Sequence, residues 1–171
     1  MKSKKELRSI LEYDFESVEK DSNRWIENAR EFSKVAEMIY AINEDSPPYP
    51  FYYNAGIATE LYLKGTILNQ NGKLVKQHHL VKLAEDANLT LTSDQVSLLE
   101  ILSETVIWFG RYPTPRNSEV WDKFHDEIYE KHKIRETNGN THVVRANLNT
   151  FPTIENCKKI WDACETEIKN A

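Results

Sequence analysis

Two arginines and a tyrosine lie close together in a proline-containing segment, Gly110-Arg111-Tyr112-Pro113-Thr114-Pro115-Arg116. A guanidinium binds phosphate through two parallel hydrogen bonds, and an aromatic ring stacks on a base. Arg111, Tyr112 and Arg116 are therefore candidates for nucleotide or RNA recognition. The alternative is that Arg111 caps the C-terminus of the preceding helix, where a cation meets the helix dipole. The residue types alone favour neither interpretation.

A second group of polar residues falls in an apolar segment. Glu60 and Lys64 are four positions apart, in the order that supports a helix through an ion pair. They either form an exposed pair or line a pocket or interface, since the helix around them is the most apolar in the chain. His79 follows His78 at a predicted helix start, where we expect His79 to have a structural or hydrogen-bonding role. Adjacent helical residues point about 100° apart, so the two histidines do not predict a metal site.

Two further Arg and His spacings could be drawn as acid–base sites. Arg135 and His142 have six residues between them but flank the predicted turn at Asn138-Gly139, and we interpret this spacing as coincidence. His125 and His132 are seven positions apart among acidic residues, which is typical of a solvated helix face. Arg111, Arg135 and His142 remain weak catalytic candidates.

Helices are predicted to position nearly all of these residues. Apolar residues recur at three- and four-residue spacing, which predicts helices. The predicted helices cover about 1–20, 23–43, 51–70, 77–88, 92–110, 118–133 and 153–169. The three prolines of 45–50 predict a connector. Residues 134–152 predict either a small hairpin or an irregular loop. The fold class is therefore all-α, an antiparallel four-helix bundle with accessory helices and an insertion before the last helix.

Composition limits the classes of function. The chain has 171 residues, with 22 Lys and Arg against 27 Asp and Glu and a net charge of −5. This balance disfavours a protein that coats nucleic acid over its whole surface, although it allows a local basic patch. The length fits one domain, and we assign residues 1–171 to it, with a core of about 23–113 plus 153–169 and an insertion of about 114–152. No signal peptide or membrane span is evident, so we expect a cytoplasmic protein.

Cofactor and metal motifs provide no further candidates. The chain has no P-loop, dinucleotide-binding, zincin or nucleophile-elbow motif, and no cofactor is predicted. Cys157 and Cys164 are seven positions apart in a helical pattern, about 10 Å by helix rise, which is too far for a disulfide. They also lack the close spacing of a zinc site. We expect both cysteines to be core residues.

The order of features in the middle of the chain resembles the HEPN family of prokaryotic four-helix domains. The likeness covers about 23–113. It rests on Ala55-Gly56-Ile57-Ala58-Thr59-Glu60-Leu61-Tyr62-Leu63-Lys64-Gly65, then Asn71-Gly72, then His79-Leu80-Val81-Lys82-Leu83, then a long helix ending at Gly110-Arg111-Tyr112-Pro113. The resemblance implies a compact and often dimeric helical bundle associated with nucleotides or RNA, toxin–antitoxin pairs, phage defence and nucleotidyltransferase partners.

One departure from the family pattern bears on activity. Ribonuclease members carry an Arg followed, after four to six residues, by a His. Here Arg111 stands where that Arg would fall, but the next histidine is His125. The resemblance therefore favours a binding or interaction module, with Arg111, Tyr112, Arg116, Lys64, Glu60 and His79 as ligand-binding candidates. The alternatives are a metal-independent endoribonuclease with an Arg/His pair and a structural subunit of a protein complex.

Overall fold

The computed structural model describes residues 3–11, 13–139 and 141–170. It is mostly helical with a small two-stranded sheet, so the all-α prediction holds at the level of class. The helices are α1 (Lys4–Ile10), α2 (Phe15–Lys20), α3 (Ser22–Tyr40), α4 (Tyr49–Asn71), α5 (Leu80–Asp86), α6 (Ser93–Glu104), α7 (Ser118–Lys131) and α8 (Ile154–Asn170). A π-helical turn (Thr105–Phe109) follows α6, and the strands are β1 (Lys133–Asn138) and β2 (Thr141–Ala146).

Helix α4 is the centre of the core, because apolar and small residues cover more than one of its sides. Phe51, Ala55, Ala58 and Leu63 are fully buried. At Gly65 a Cβ atom would lie 2.5 Å from Cδ1 of Ile26 on α3, so the glycine allows a close helix contact. Small residues on two sides of this helix were the sequence signal for that position.

Helices α3 and α8 both pack against α4. Polar contacts tie the three together as well. The Trp161 indole on α8 donates to the Thr59 hydroxyl on α4 at 2.9 Å. Arg30 on α3 binds Glu165 on α8 through two hydrogen bonds of 2.7 and 2.8 Å. A bidentate pair of this kind fixes the geometry of two helices as well as adding energy.

Helices α5 and α6 cover another part of α4. Thr92 and Gln95 form a capping box at the start of α6. The Leu80 amide at the start of α5 donates to the Ser103 hydroxyl at 2.9 Å, which joins the two helices. The predicted helix over 92–110 is wrong at its end, because the chain widens into the π-helical turn after Glu104.

Several predicted boundaries also change. The single N-terminal helix predicted over 1–20 is two short helices, α1 and α2, neither of which has a buried residue. Helix α4 starts at Tyr49, so Pro50 lies in its first turn, where a missing amide hydrogen costs no hydrogen bond. Gly72 ends α4 in the left-handed conformation, with φ of 64°, which glycine adopts without strain. The side chain that caps α7 is that of Asn117 and not that of Ser118.

The region predicted as either a hairpin or a loop contains a hairpin. Strands β1 and β2 are antiparallel, with Lys133 opposite Ala146 and Asn138 opposite Thr141. Asn138 is the last residue of β1 and so does not lie in a turn as predicted; Gly139 follows it with φ of 59°, and residue 140 lies outside the described residues. Cys157 and Cys164 are free and buried in α8, which confirms that they are core residues.

Candidate functional site

Arg111 is placed by the π-helical turn. The Gly110 amide donates to the Thr105 carbonyl at 3.1 Å, which closes the wider π-type ring. A Cβ at Gly110 would lie 2.7 Å from that carbonyl oxygen and 2.7 Å from Cβ of Tyr53. Only glycine fits this approach without a shift of backbone. The chain therefore leaves the helix at a fixed point, and Arg111 is the next residue.

The Arg111 side chain is exposed and partly anchored. Its Nη2 donates to the Ile107 carbonyl at 2.7 Å, and its guanidinium lies 5.5 Å from the centre of the Tyr112 ring. The helix-capping interpretation is therefore correct for this residue. Capping uses only part of the guanidinium, because this group carries five N–H donors and one carbonyl cannot accept hydrogen bonds from all of them. Arg111 is held in one orientation with donors remaining for an anion.

A cavity of about 310 Å³ lies on one side of Arg111, between α4, the segment before α5, and the π-helical turn. We call it the polar cavity. Its lining residues are Ile57, Glu60, Leu61, His78, Val106, Ile107 and Arg111.

Two ionisable side chains of the polar cavity, Glu60 and His78, are linked to each other and to the buried Lys64 behind them. Lys64 Nζ lies 2.6 Å from Glu60 Oε1, and both residues are buried, so the exposed-pair interpretation of the sequence is wrong. The same Glu60 oxygen is 3.0 Å from Nδ1 of His78, whose side chain is 59% exposed. A carboxylate oxygen in this pair accepts the hydrogen of Nδ1, which leaves Nε2 as the acceptor of a neutral ring. Glu60 thus orients an exposed imidazole beside Arg111.

A second cavity, of about 390 Å³, lies on the other side of Arg111. We call it the aromatic cavity. Its lining residues are Tyr49, Phe109, Gly110, Arg111, Tyr112, Pro113, Trp121 and His125. The rings of Tyr49 and Phe109 meet edge to face at 5.0 Å, and those of Trp121 and His125 are 4.3 Å apart. Flat apolar walls with one cation at the edge suit a base attached to a phosphate.

The remaining ligand-binding candidates from the sequence lie outside these two cavities. Arg116 is exposed in the loop before α7 and lines neither cavity. His79 is exposed at the N-cap position of α5, and its side chain makes no capping hydrogen bond. Lys64 lines neither cavity and acts through Glu60. Arg111, Tyr112 and Glu60 are the candidates that border the cavities.

The other Arg and His candidates are on the hairpin. Arg135 in β1 lies 4.2 Å from the centre of the Tyr129 ring, and His142 in β2 contacts the Thr137 hydroxyl at 3.2 Å. Both residues are exposed, and the strand register puts them on the same face of the hairpin. Neither lines the polar or the aromatic cavity.

The sequence does not predict His78 or Trp121 as site residues, and it offers His125 only as an acid–base alternative to a solvated helix face. His78 precedes His79, and no local pattern tells which of two adjacent histidines reaches back to a carboxylate 18 positions earlier. His125 was assigned to a solvated face, although its ring contact with Trp121 puts it on the aromatic cavity. The spacing of Trp121 and His125, one helical turn apart, was the available signal.

A larger cavity, about 520 Å³, is elsewhere and is mainly apolar. It lies where α2 meets α3 and α4, between residues such as Phe15, Trp25, Leu61 and Leu74. Its charged lining residues are Asp14, Glu19 and Arg24, and Arg24 is already paired with Asp21 at 3.0 Å; unlike the cavities at Arg111, it is lined by no histidine. Since specificity comes from a few well-placed polar groups, we place the candidate site at Arg111.

No protein family, curated protein or solved structure matches this chain. Among the residues 3–11, 13–139 and 141–170, no cluster of three or more His, Cys, Asp or Glu side chains is arranged to hold a metal ion. No described helix is both long enough and apolar enough to cross a membrane. The functional argument therefore rests on the geometry around Arg111 and on the residues of the chain itself.

Proposed function

We propose that this protein is a HEPN-like binding module that holds a nucleotide or a nucleotide of RNA at Arg111. The observation that carries the proposal is that one anchored guanidinium borders both an aromatic cavity and a polar cavity. The base stacks among the rings on one side. The phosphate binds Arg111 at the boundary, where charge-assisted hydrogen bonds are strongest.

The resemblance to HEPN domains supports a proposal about the bundle, the oligomer and the biological system in which this function operates. The segment from Ala55 to Gly65 forms the central helix, and Arg111 ends the helical region that the resemblance covers. By analogy we propose an antiparallel four-helix bundle that pairs as a homodimer in a toxin–antitoxin or phage-defence system. Its partner would be a cognate nucleotidyltransferase or antitoxin protein.

Binding of fluorescent purine and pyrimidine nucleotides tests the proposal. Removing hydrogen bonds to a charged group costs about 1.5–3 kcal/mol, so Arg111→Ala should weaken binding about 10-fold or more. Arg116→Ala is the matched control, because Arg116 is an exposed arginine of the same loop that borders neither cavity. Equal affinity of the wild type and Arg111→Ala would refute the proposed site.

A second candidate function is a metal-independent endoribonuclease. The observation that favours it is that Arg111 shares one cavity with His125 and the other with His78. In such a reaction one imidazole takes the proton of the RNA 2′-hydroxyl, whose oxygen bonds to phosphorus. The bond to the 5′-oxygen breaks as an acid donates a proton to it, and Arg111 stabilises the charged intermediate. The products are a 2′,3′-cyclic phosphate and a 5′-hydroxyl.

Cleavage of labelled RNA in the presence of EDTA tests this second function. Loss of about 100-fold or more in Arg111→Ala and in His78→Ala or His125→Ala would establish the activity and its residues. Arg135→Ala and His142→Ala test the pair on the hairpin. A substrate with 2′-deoxyribose at the cleaved position is the control, because it lacks the 2′-hydroxyl that attacks phosphorus and should not be cleaved. Equal cleavage by all variants would indicate a contaminating nuclease and exclude this function.

A further inference from the structure

The face of α7 that borders the aromatic cavity continues beyond it. Trp121, His125 and Tyr129 follow one another at four-residue intervals, so they form one stripe about 12 Å long. All three side chains are exposed, while Phe124, on the inner side of the same helix, is buried. The stripe lies in the segment 114–152, outside the part of the chain that resembles HEPN domains.

The hairpin brings cations to the far end of this stripe. Arg135 lies 4.2 Å and Lys133 lies 5.7 Å from the centre of the Tyr129 ring. The ring holds both cations by cation–π attraction while their side chains stay exposed. This attraction favours positions of the two cations beside the ring, which lowers the entropy cost of binding a ligand there.

The two faces of the hairpin differ in charge. Alternate residues of a strand share a face, and the register puts Lys133 and Arg135 on the same face as His142 and Val144. The described residues of this face include no acidic side chain. On the opposite face Arg145 is bound to Glu136 at 2.6 Å, so that face is neutralised. A chain with a net charge of −5 thus carries a local basic surface beside a row of rings.

We propose that Trp121, His125, Tyr129, Lys133 and Arg135 form a binding track for single-stranded nucleic acid that begins at the aromatic cavity. The proposal rests on the proposed nucleotide binding at Arg111, and it specifies a ligand several nucleotides long. Successive bases stack along the stripe, and their phosphates contact Arg111 at one end and the hairpin cations at the other. Stacking needs unpaired bases, which is why the ligand is single-stranded.

Acidic residues limit the width of the track. Asp122 and Asp126 lie on α7 beside the stripe, on the side away from the core. They repel phosphate and so confine the backbone to the path between Arg111 and the hairpin. Asp126→Asn should therefore tighten the binding of an oligonucleotide, in contrast to substitutions of the rings and cations.

Binding of a labelled hexauridylate, compared with uridine monophosphate, tests the track. Tyr129→Ala should weaken hexauridylate binding at least about fivefold, whereas Tyr129→Phe, which keeps the ring, should retain it. Arg135→Ala should lower the dependence of log affinity on log salt by about 0.7 from a wild-type slope of about −2 for three cations. None of these variants should change the binding of the mononucleotide. Measuring the binding of hexadeoxyuridylate in parallel shows whether the track prefers RNA or DNA.

Arg145→Ala is the matched control, because it removes the same charge from the opposite face of the same hairpin. Hexauridylate binding no tighter than that of the monophosphate, or equal losses in Arg135→Ala and Arg145→Ala, would overturn the track and leave the Arg111 site intact. Mononucleotide binding unaffected by Arg111→Ala would instead overturn the proposed function. Failure of both probes to bind would overturn both. Thermal unfolding of each variant shows that the losses do not come from misfolding.

Discussion

The buried ion pair of α4 offers the sharpest test of how the site is built. Lys64→Met keeps the length and apolar stem of the side chain but removes the ammonium that lies 2.6 Å from Glu60 Oε1. The Glu60 side chain is only 9% exposed, so the variant leaves a carboxylate with little water and one other polar partner, His78. Breaking a buried pair in this way costs about 3–5 kcal/mol. Because the His78 contact remains, we expect the lower end, about 3 kcal/mol.

Urea and thermal unfolding measure this cost. For a chain of this size, each kcal/mol lowers Tm by about 2–4 °C, so Lys64→Met should melt about 6–12 °C below the wild type. The control is Lys34→Met, which removes an exposed pair with Glu31 whose side chains are 66% and 72% exposed. Exposed pairs contribute about 0–1 kcal/mol, so this control should melt close to the wild type.

The double variant Glu60→Leu/Lys64→Met separates the buried charge from the packing. Replacing both members of a buried pair with apolar groups is often neutral or stabilising. The double variant should therefore be more stable than Lys64→Met alone. A cost for Lys64→Met within about 1 kcal/mol of the Lys34→Met control would refute the reasoning, since it would mean that water reaches Glu60.

Three further predictions concern the core around the site. Burial lowers the pKa of His132 from its ordinary value of 6.5, so below that pH the unfolded chain binds more protons than the folded one. The urea midpoint should therefore fall as the pH is lowered through about 6.5. The fall should be smaller in His132→Asn, which has no group that titrates at this position. Gly56→Ala should cost about 1–3 kcal/mol in urea unfolding, because the new Cβ would lie 2.6 Å from the Thr105 hydroxyl; a neutral effect would contradict this packing. Burial raises the pKa of Cys157 and of Cys164 to about 12, so iodoacetamide at pH 8 should label neither thiol until the protein is unfolded; rapid labelling of the native protein would contradict their burial.

The sequence predicts α3 and α8 well because each has a stripe of apolar residues at helical spacing. Ala29 and Ala36 mark the buried side of α3, and Cys157, Ile160 and Cys164 mark that of α8. Such a stripe indicates which side of a helix faces the core, and it can be read from residues that are close together in the sequence. Helix α4 is recognised for the opposite reason, because it is apolar on more than one side.

The π-helical turn is not visible in the sequence for a related reason. Val106 continues the stripe of α6 without a break, so the pattern predicts one regular helix up to Gly110. The widening is set by tertiary contacts. The Thr105 hydroxyl binds both the Leu102 carbonyl and the Tyr52 carbonyl on α4, at 2.7 and 3.2 Å. A contact between residues 53 positions apart cannot be read from local spacing.

The candidate site is predicted in part. Arg111, Tyr112 and Glu60 are named by residue type and context, and all three border the cavities. His78 is not named as a candidate, and His125 is named only as part of a spacing that favours a solvated face. Both line a cavity with Arg111 only after folding, since they lie 33 residues before it and 14 residues after it in the chain.

The last turn before Arg111 affects both the stability of the fold and the chemistry of the site. A π-helical turn is less favourable than a regular one and commonly marks a functional position. Here the Gly110 amide closes the turn on the Thr105 carbonyl, and the Arg111 side chain returns to the Ile107 carbonyl. The Ile107 carbonyl, to which the Arg111 amide would donate in a regular helix, therefore binds the Arg111 guanidinium instead. The irregularity has a cost, and its result is that Arg111 is oriented before a ligand arrives, as the proposed phosphate site requires.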